Sequence, residues 1–351
     1  MTRKRILFIG GSLNQTTMMY QISLYLSDFD CYFTPLYCDG FLKILSKTGM
    51  LDFTPLGGKH KAKTENFLQN KKVKTDYEGV LHNYDLIVIS SDLVIQKNIR
   101  GKKVILVQEG MTDPENFMYY LVKNLKLPRY LASTSTNGLS DAYDTFCVAS
   151  EGYRDLFIRK GVRPEKIAVT GIPNFDNLKQ HLVNSFPYKN YVLVATSDAR
   201  ETLKFDNRKK FILKCVKIAD GRLLIFKLHP NENFKRAIKE INTYAPGALI
   251  YTEGNTDDMI ANCDILITQY STVVYTGLAL QKEVHSYFDV NQLRQLTPIQ
   301  NNGTSAKNIA EICRKHLNTY SVEPIARIKP FHKMPVKVKH VFSKLSGRTV
   351  L

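Results

Sequence analysis

Short apolar runs recur along the chain, each closed by a turn and followed by apolar residues at helical spacing. In the first half, the runs at 6–9, 31–34, 86–89, 104–107, 146–149 and 167–170 predict strands. The spacing over 14–26 and 153–160 predicts helices. The runs at 86–89 and 104–107 are apolar without alternation, as in strands covered on both faces. The rhythm resumes near residue 191, with strands at 192–195, 223–227, 249–251, 265–268 and 284–287. Helices are expected over 205–219, over 234–241, from 256, and over 273–279. Strands alternating with helices build parallel sheets with helices on both faces, so the fold class is α/β. Two halves of similar size imply two domains facing a cleft, residues 1–178 and 191–319, with a linker over 179–190 and a tail over 320–351. Residues 56–79 interrupt the pattern with Gly57, Gly58 and six lysines, and read as a basic loop or a loose helix. No repeat of short period is visible, which argues against a solenoid.

Composition narrows the class. Of 351 residues, 44% are hydrophobic and 23% charged, the make-up of an ordinary globular protein. Lys and Arg number 49 against 32 Asp and Glu, a net charge of +17, so the expected partners are anionic. No apolar stretch approaches the ~18 residues of a spanning helix. The opening MTRKR and the apolar run after it are too short for a leader and end at Gly10 and Gly11. The expectation is a soluble, cytoplasmic protein. Cys31, Cys38, Cys147, Cys215, Cys263 and Cys313 lack metal-ligand spacing and read as reduced, buried thiols. The tail carries Arg327, Lys329, Lys333, Lys337, Lys339, Lys344 and Arg348 against Glu323 alone. It reads as a solvated segment, as a helix packed back on the first domain, or as a peripheral contact with an anionic membrane surface. Nucleic acid is not expected, because these cations lack the interleaved aromatics of a stacking platform.

In open α/β sheets, ligands gather beyond the carboxyl ends of the strands, so the residues there are the candidates for chemistry. After the first strand come Gly10, Gly11, Ser12, Leu13 and Asn14. They form either a turn with a helix cap or a loop that approaches an anion or a hydroxyl-rich ligand. The spacing is not that of the GxGxxG dinucleotide loop. After 104–107 comes Glu109, a carboxylate placed to take a proton from a hydroxyl. Asp113 and Glu115 read as first-turn acids of a helix with Pro114 at its first position. In the second half, Arg200 follows the strand at 192–195 and suits bidentate phosphate recognition. Lys227 and His229 end the next strand on one face, where both can meet charge on a diphosphate. Ser271 and Thr272 precede a helix and suit a phosphate cradle or a cap. Thr252 and Gly254 stand where a base or ribose would lie.

These residues carry a resemblance. FKLHPNE at 226–232 and TDDMIANCDILITQYSTVVYTGLAL at 256–280 resemble the nucleotide-binding half of CDP-glycerol glycerophosphotransferases, which carry Lys-x-His-Pro and Asp-Tyr-Ser-Ser elements. VASEGYRDLFIRKGVRPEKIAVTGIPNFD at 148–176 and VLVATSDARET at 192–202 resemble the non-hydrolysing UDP-N-acetylglucosamine 2-epimerases. Both belong to the GT-B superfamily of two Rossmann-like domains facing a cleft, with donor in the second and acceptor in the first. The resemblance covers residues 145–290. It implies a metal-independent transferase that moves a sugar or polyol phosphate from a nucleotide-activated donor to a cell-surface polysaccharide or lipid-linked acceptor. Arg200, Lys227, His229, Thr252, Gly254, Ser271 and Thr272 would bind the donor. Gly10, Gly11, Ser12 and Asn14 would line the acceptor side, and Glu109 and His229 would be catalytic. No cofactor is implied, and an Asp-x-Asp element is lacking, so no metal is expected. The chain departs from both patterns. It has Gln108-Glu109-Gly110 where the transferases have Trp-His-Gly, and Gln269-Tyr270-Ser271-Thr272 where the epimerases have Asp-Ser-Gly-Gly. It also has Asp198-Ala199-Arg200 where the epimerases have His-Arg. An epimerase without an acceptor is therefore the second expectation, and a non-catalytic anion-binding scaffold the third.

Overall fold

Every pairing among the described β-strands is parallel, and this dictates where the loops that matter can be. The computed structural model describes residues 3–52, 54–201 and 205–318; the basic tail lies outside the described residues. One sheet holds β1 (Arg5–Ile9), β2 (Asp30–Thr34), β3 (Lys74–Thr75), β4 (Leu86–Ile89), β5 (Val104–Val107), β6 (Thr145–Val148) and β7 (Ile167–Val169), in the order 3-2-1-4-5-6-7. The other holds β8 (Val192–Ala195), β9 (Leu224–Lys227), β10 (Leu249–Tyr251), β11 (Ile265–Thr268) and β12 (Glu283–His285), in the order 10-9-8-11-12. In both sheets the order reverses beside the first strand, between β1 and β4 and between β8 and β11, which opens a crevice at the carboxyl ends. Every residue of β4, β5, β6, β8, β9 and β11 is buried, as the unalternating apolar runs require.

The helices are α1 (Leu13–Ser23), α2 (Gly40–Lys47), α3 (Gly58–Asn70), α4 (Phe117–Leu125), α5 (Glu151–Lys160), α6 (Arg208–Ala219), α7 (Phe234–Tyr244), α8 (Thr256–Asn262), α9 (Val274–Ala279), α10 (Val290–Leu296) and α11 (Ser305–Asn318). Side chains alternate across each strand, so β1 sends Ile6 and Phe8 to one layer and Leu7 and Ile9 to another. The first layer closes on Met18, Met19 and Ile22 of α1. The second is continuous with Leu193, Ile225 and Leu266 of the other sheet, so the two sheets share a core. The third layer packs Val192, Val194 and Phe226 on Phe211, Ile212 and Ile241 of α6 and α7.

Several boundaries differ from the sequence expectation. Residues 58–70 form a true helix, tied down where the Thr64 hydroxyl donates to the Gly11 carbonyl at 2.9 Å, and Lys74–Thr75 adds an edge strand. The helix expected from 205 starts at Arg208, because the Asn207 side chain accepts from the Lys210 N–H and Phe205 is left exposed. Asp113 and Glu115 are not in a first turn: α4 starts at Phe117 behind an Asn116 cap, and Asp113 instead accepts from the Thr134 hydroxyl at 2.8 Å. The linker segment is strapped to α8 by His181 Nδ1 to Asp258 at 2.7 Å and by Asn184 to Asn262 at 3.2 Å. α11 does not pack with the second sheet, although an end at 319 was expected there. Its Ile309, Ala310 and Cys313 join Ile6 and Phe8, and Arg314 pairs with Asp28 at 2.7 Å.

The return path to α11 depends on one close approach. A Cβ on Gly152 in α5 would lie 1.9 Å from the Gln295 carbonyl oxygen of α10, and Ile299 N–H donates to the Ala149 carbonyl at 3.0 Å. Gly152→Ala should therefore destabilise the chain by about 1–3 kcal/mol despite the better helix propensity of alanine. Urea unfolding measures this, and an unchanged or raised midpoint would show that the two helices do not touch as described.

Candidate functional site

A cleft of about 340 Å³ opens between the carboxyl edges of the two sheets. Asn14, Gln108, Glu109, Gly110 and Met111 line it from the first sheet, joined by Thr134, Asn137, Asn174 and Phe175. Asp257, Thr272, Val273 and Thr276 line it from the second. The sheets come close here: a Cβ on Gly110 would lie 3.6 Å from both Phe175 and the Thr272 methyl. Below, the buried hydroxyls of Tyr153 in α5 and Tyr275 in α9 meet at 2.7 Å.

Glu109 follows β5 half-buried, and the cap and first turn of α1 hold its carboxylate. Ser12 Oγ donates to one oxygen at 3.1 Å and Gln15 Nε2 to the other at 2.6 Å. The same two side chains form the capping box of α1: Ser12 Oγ accepts the Gln15 N–H and Gln15 Oε1 accepts the Ser12 N–H. Gly11 is needed because any Cβ there would lie 1.6 Å from Gln15 Oε1. The glycine loop is thus explained by the fold of Gln15, with Asn14 presented to the cleft. Burial pushes the Glu109 carboxyl up from its ordinary range, and the Ser12 and Gln15 donors only partly offset this. Gln108 aims the turn: it accepts the Ala149 N–H and donates to the Gly110 carbonyl at 2.7 Å.

The structure does not gather all the residues expected around a donor. Of that set Thr272 lines the cleft. Ser271 is beside it, with Oγ 3.5 Å from Val273 N, but it does not cap the helix, because α9 starts from Val273. Lys227 turns away from its expected partner His229: buried, it donates to the Leu228 and Thr252 carbonyls at 3.1 Å each, joining the ends of β9 and β10. Burial lowers its pKa, with Glu253 and Glu232 opposing. Thr252 thus serves through its carbonyl, and Gly254 forms the next turn at φ +102°. Arg200 spends its fork on Glu240, with two contacts of 2.8 Å. The His229 ring is about a third exposed, with Nδ1 accepting the Asn231 N–H and 3.7 Å from Asp198.

Behind these loops is a network that local motifs do not reveal. Arg208 pairs with Asp206 at 2.9 Å and Glu232 at 2.7 Å, and all three side chains are almost fully buried. Glu232 also accepts from the Thr196 hydroxyl and from the His229 N–H at 2.9 Å. Asp206 accepts from Gln269 Nε2 at 2.8 Å, and Gln269 Oε1 accepts from Ser197. The network thereby fixes the ends of β8, β9 and β11 relative to one another. Asp257 was also missed: it lines the cleft, accepts from the Thr276 hydroxyl at 2.9 Å, and lies 4.0 Å from His181. Its place inside an acid-led helix start gave no signal of this. No group of three or more His, Cys, Asp or Glu able to hold a metal ion occurs among the described residues. No described helix is long and apolar enough to cross a membrane.

The chain is a GT-B-type α/β protein: two parallel Rossmann-like sheets with a cleft between their carboxyl edges. Solved structures share this fold. A UDP-N-acetylglucosamine 2-epimerase superposes with a TM-score of 0.54 at 13% identity, covering 94% of this chain and 100% of that one. The Neisseria meningitidis UDP-GlcNAc 2-epimerase bound to UDP-GlcNAc gives 0.55 at 13% identity, covering 89% and 100%. The wall teichoic acid polymerase TagF is a weaker likeness, with a TM-score of 0.47 at 11% identity over 90% of this chain and 89% of that one. Neither a family model nor a curated protein matches the sequence.

The network yields a direct test. Arg208→Met would leave Asp206 and Glu232 buried without their cation and should cost about 3–5 kcal/mol. His229→Ala, at a partly exposed ring, should cost about 1 kcal/mol or less. Equal urea midpoints for the two variants would show that the Arg208 network does not hold the strand ends together.

Proposed function

We propose that the chain is a GT-B transferase that moves a sugar or polyol phosphate from a nucleotide-activated donor to an acceptor hydroxyl. The observation that carries this reading is Glu109. It is a half-buried carboxylate with a raised pKa, held from behind by Ser12 and Gln15 and presented to a cleft whose far wall is Thr272, Val273, Thr276 and Asp257. A carboxylate whose pKa is raised by burial holds a proton more firmly once it has taken one, which makes it the stronger base. It takes the acceptor hydroxyl proton as the oxygen forms its bond to the donor carbon or phosphorus. The bond from that atom to the nucleotide phosphate breaks, and the nucleotide leaves with the electron pair. Thr272 and Ser271 suit hydrogen bonds to the donor phosphates, and His229, whose ring reaches solvent at the end of β9, suits charge on the leaving group. Arg200 and Lys227 act in this reading by holding the loops, since each is already paired within the fold.

One observation favours the second reading, a nucleotide-sugar epimerase. Asp257 places a second carboxylate in the cleft from the sheet opposite Glu109, as an acid–base pair for removing and returning a proton would need. The readings separate in one assay. Nucleotide release that requires an added polyol or glycan acceptor supports transfer; conversion of UDP-GlcNAc alone supports epimerisation; neither leaves a scaffold.

Glu109→Gln should lower turnover by about 10²–10⁴-fold with nucleotide binding and folding intact. The acid limb of the rate profile should lie above the ordinary carboxylate value. Hydrogen bonds to the ionised form lower the pKa, so Ser12→Ala, which removes one, should move that limb to higher pH. A limb that stays put or moves to lower pH would take the base role from Glu109.

A further inference from the structure

Two excursions leave the carboxyl edge of the first sheet, and both expose apolar side chains that the fold leaves uncovered. The first runs from β2 through α2 to α3. None of the α2 residues is buried, and Phe41 and Ile44, three apart on one side, are 69% and 61% exposed, followed by Met50 at 62%. The second leaves the cleft at Met111, forms α4, and returns to the cleft at Thr134 and Asn137. It exposes Phe117 by 79% and Leu125 by 63%, with Tyr120, Tyr130 and Leu131 also exposed. Only Tyr119 and Val122 of α4 are buried, in a small cluster with Ala132.

The charges on these excursions are in basic excess. Residues 35–72 hold seven lysines against Asp39, Asp52 and Glu65, and residues 111–134 hold Lys123, Lys126 and Arg129 against Asp113 and Glu115. Some of these cations are engaged: Lys43 pairs with Glu78, Lys123 donates to the Lys160 carbonyl and Arg129 to the Asp92 carbonyl. Lys47, Lys59, Lys63 and Lys126 are exposed on the same segments as the apolar side chains. Aromatic and aliphatic side chains set among lysines suit an interfacial surface, where apolar insertion and attraction to anionic headgroups act together and neither suffices alone. A protein partner of ordinary kind would favour fewer lysines at the centre of the patch.

We propose that these two excursions, α2 with the stretch to α3 and α4 with the stretch to 131, form a docking surface for an anionic lipid bilayer. The surface borders the Glu109 side of the cleft, through Thr64 on the Gly11 carbonyl and through Met111 and Thr134 on the cleft wall. Docking there brings the acceptor side of the cleft to the membrane, as a lipid-linked acceptor requires. The surface itself does not depend on the transfer reading, because its binding is read without donor or acceptor.

The test uses the full chain and vesicles of phosphatidylglycerol or of phosphatidylcholine at about 0.15 M ionic strength, where distant surface charges are screened. The wild-type chain should co-sediment with the anionic vesicles and not with the neutral ones. Phe41→Ser, Ile44→Ser, Phe117→Ser and Leu125→Ser combined should weaken that binding by about tenfold or more, with the melting temperature held because all four side chains are exposed. Lys59→Glu with Lys63→Glu should weaken it comparably. Anionic binding that survives the four apolar substitutions would place the contact elsewhere on the chain and overturn the proposal. So would a wild-type chain that ignores both vesicles but self-associates through Phe41 and Phe117, since the surface would then belong to a second copy.

Discussion

The rest of the site depends on how a carboxylate is kept in a half-buried cleft. Glu109 has no cation beside it among its hydrogen-bond partners; it has the hydroxyl of Ser12 and the amide of Gln15. Both are available because the start of α1 has already ordered them as a capping box. The arrangement is economical in residues and demanding of the backbone. Gln15 must fold over the loop, and only a residue without a Cβ leaves it room at position 11. A guanidinium in the same place would hold the carboxyl firmly ionised and make it a poor base. Neutral donors leave its pKa raised, because desolvation still exceeds what they offset. Parallel strand order then does the positioning: β1 and β5 end on one edge of the sheet, with β4 between them, so a loop after one reaches a side chain after the other.

The parts of the fold that were legible in the sequence are those in which local pattern and tertiary burial agree. β4, β5, β8 and β11 are apolar at every position or nearly so and buried on both faces, and nothing but a central strand of a parallel sheet fits four such residues between turns. Where the two levels separate, the reading stops. α2 buries none of its residues, so its apolar pattern answers to no core in the described chain. α11 has a clear apolar stripe, but its partners are Ile6, Phe8 and Met18, some three hundred residues earlier, and no local feature announces a return across the molecule. The same division runs through the site. Glu109, Asn14 and Thr272 follow strands, and the rule that ligands lie beyond strand ends finds them. Asn174, Phe175 and Asp257 reach the cleft from turns and a helix start, where sequence context points to capping and punctuation.

Lys227 and Arg200 show why residue type at the right place is not sufficient. Each stands at a strand end in the donor half, as a phosphate ligand should, and each is already matched by acceptors of the fold: two carbonyls for the ammonium and the Glu240 carboxylate for the guanidinium. A buried ammonium with a pKa lowered by burial cannot also be a solvated anchor for a diphosphate. Their contribution passes through the backbone, because Lys227 sets the carbonyl at 252 and Arg200 the approach of the loop after β8 to α7.

The network of Asp206, Arg208, Glu232 and Gln269 extends that logic. An apolar core of the same volume would stabilise the sheet as well or better, since burying ions costs desolvation that their pairing does no more than offset. What apolar packing cannot do is fix main-chain atoms by direction. Glu232 takes the His229 N–H at 2.9 Å, and Gln269 reaches Asp206 at one end and Ser197 at the other. Three strand ends are thus held at hydrogen-bond tolerance on one side of the cleft, as Ser12 and Gln15 hold Glu109 on the other. On the proposed transfer, in which a hydroxyl, a reacting atom and a leaving group have to align, such fixed directions contribute more than added stability, because misplacement costs rate steeply.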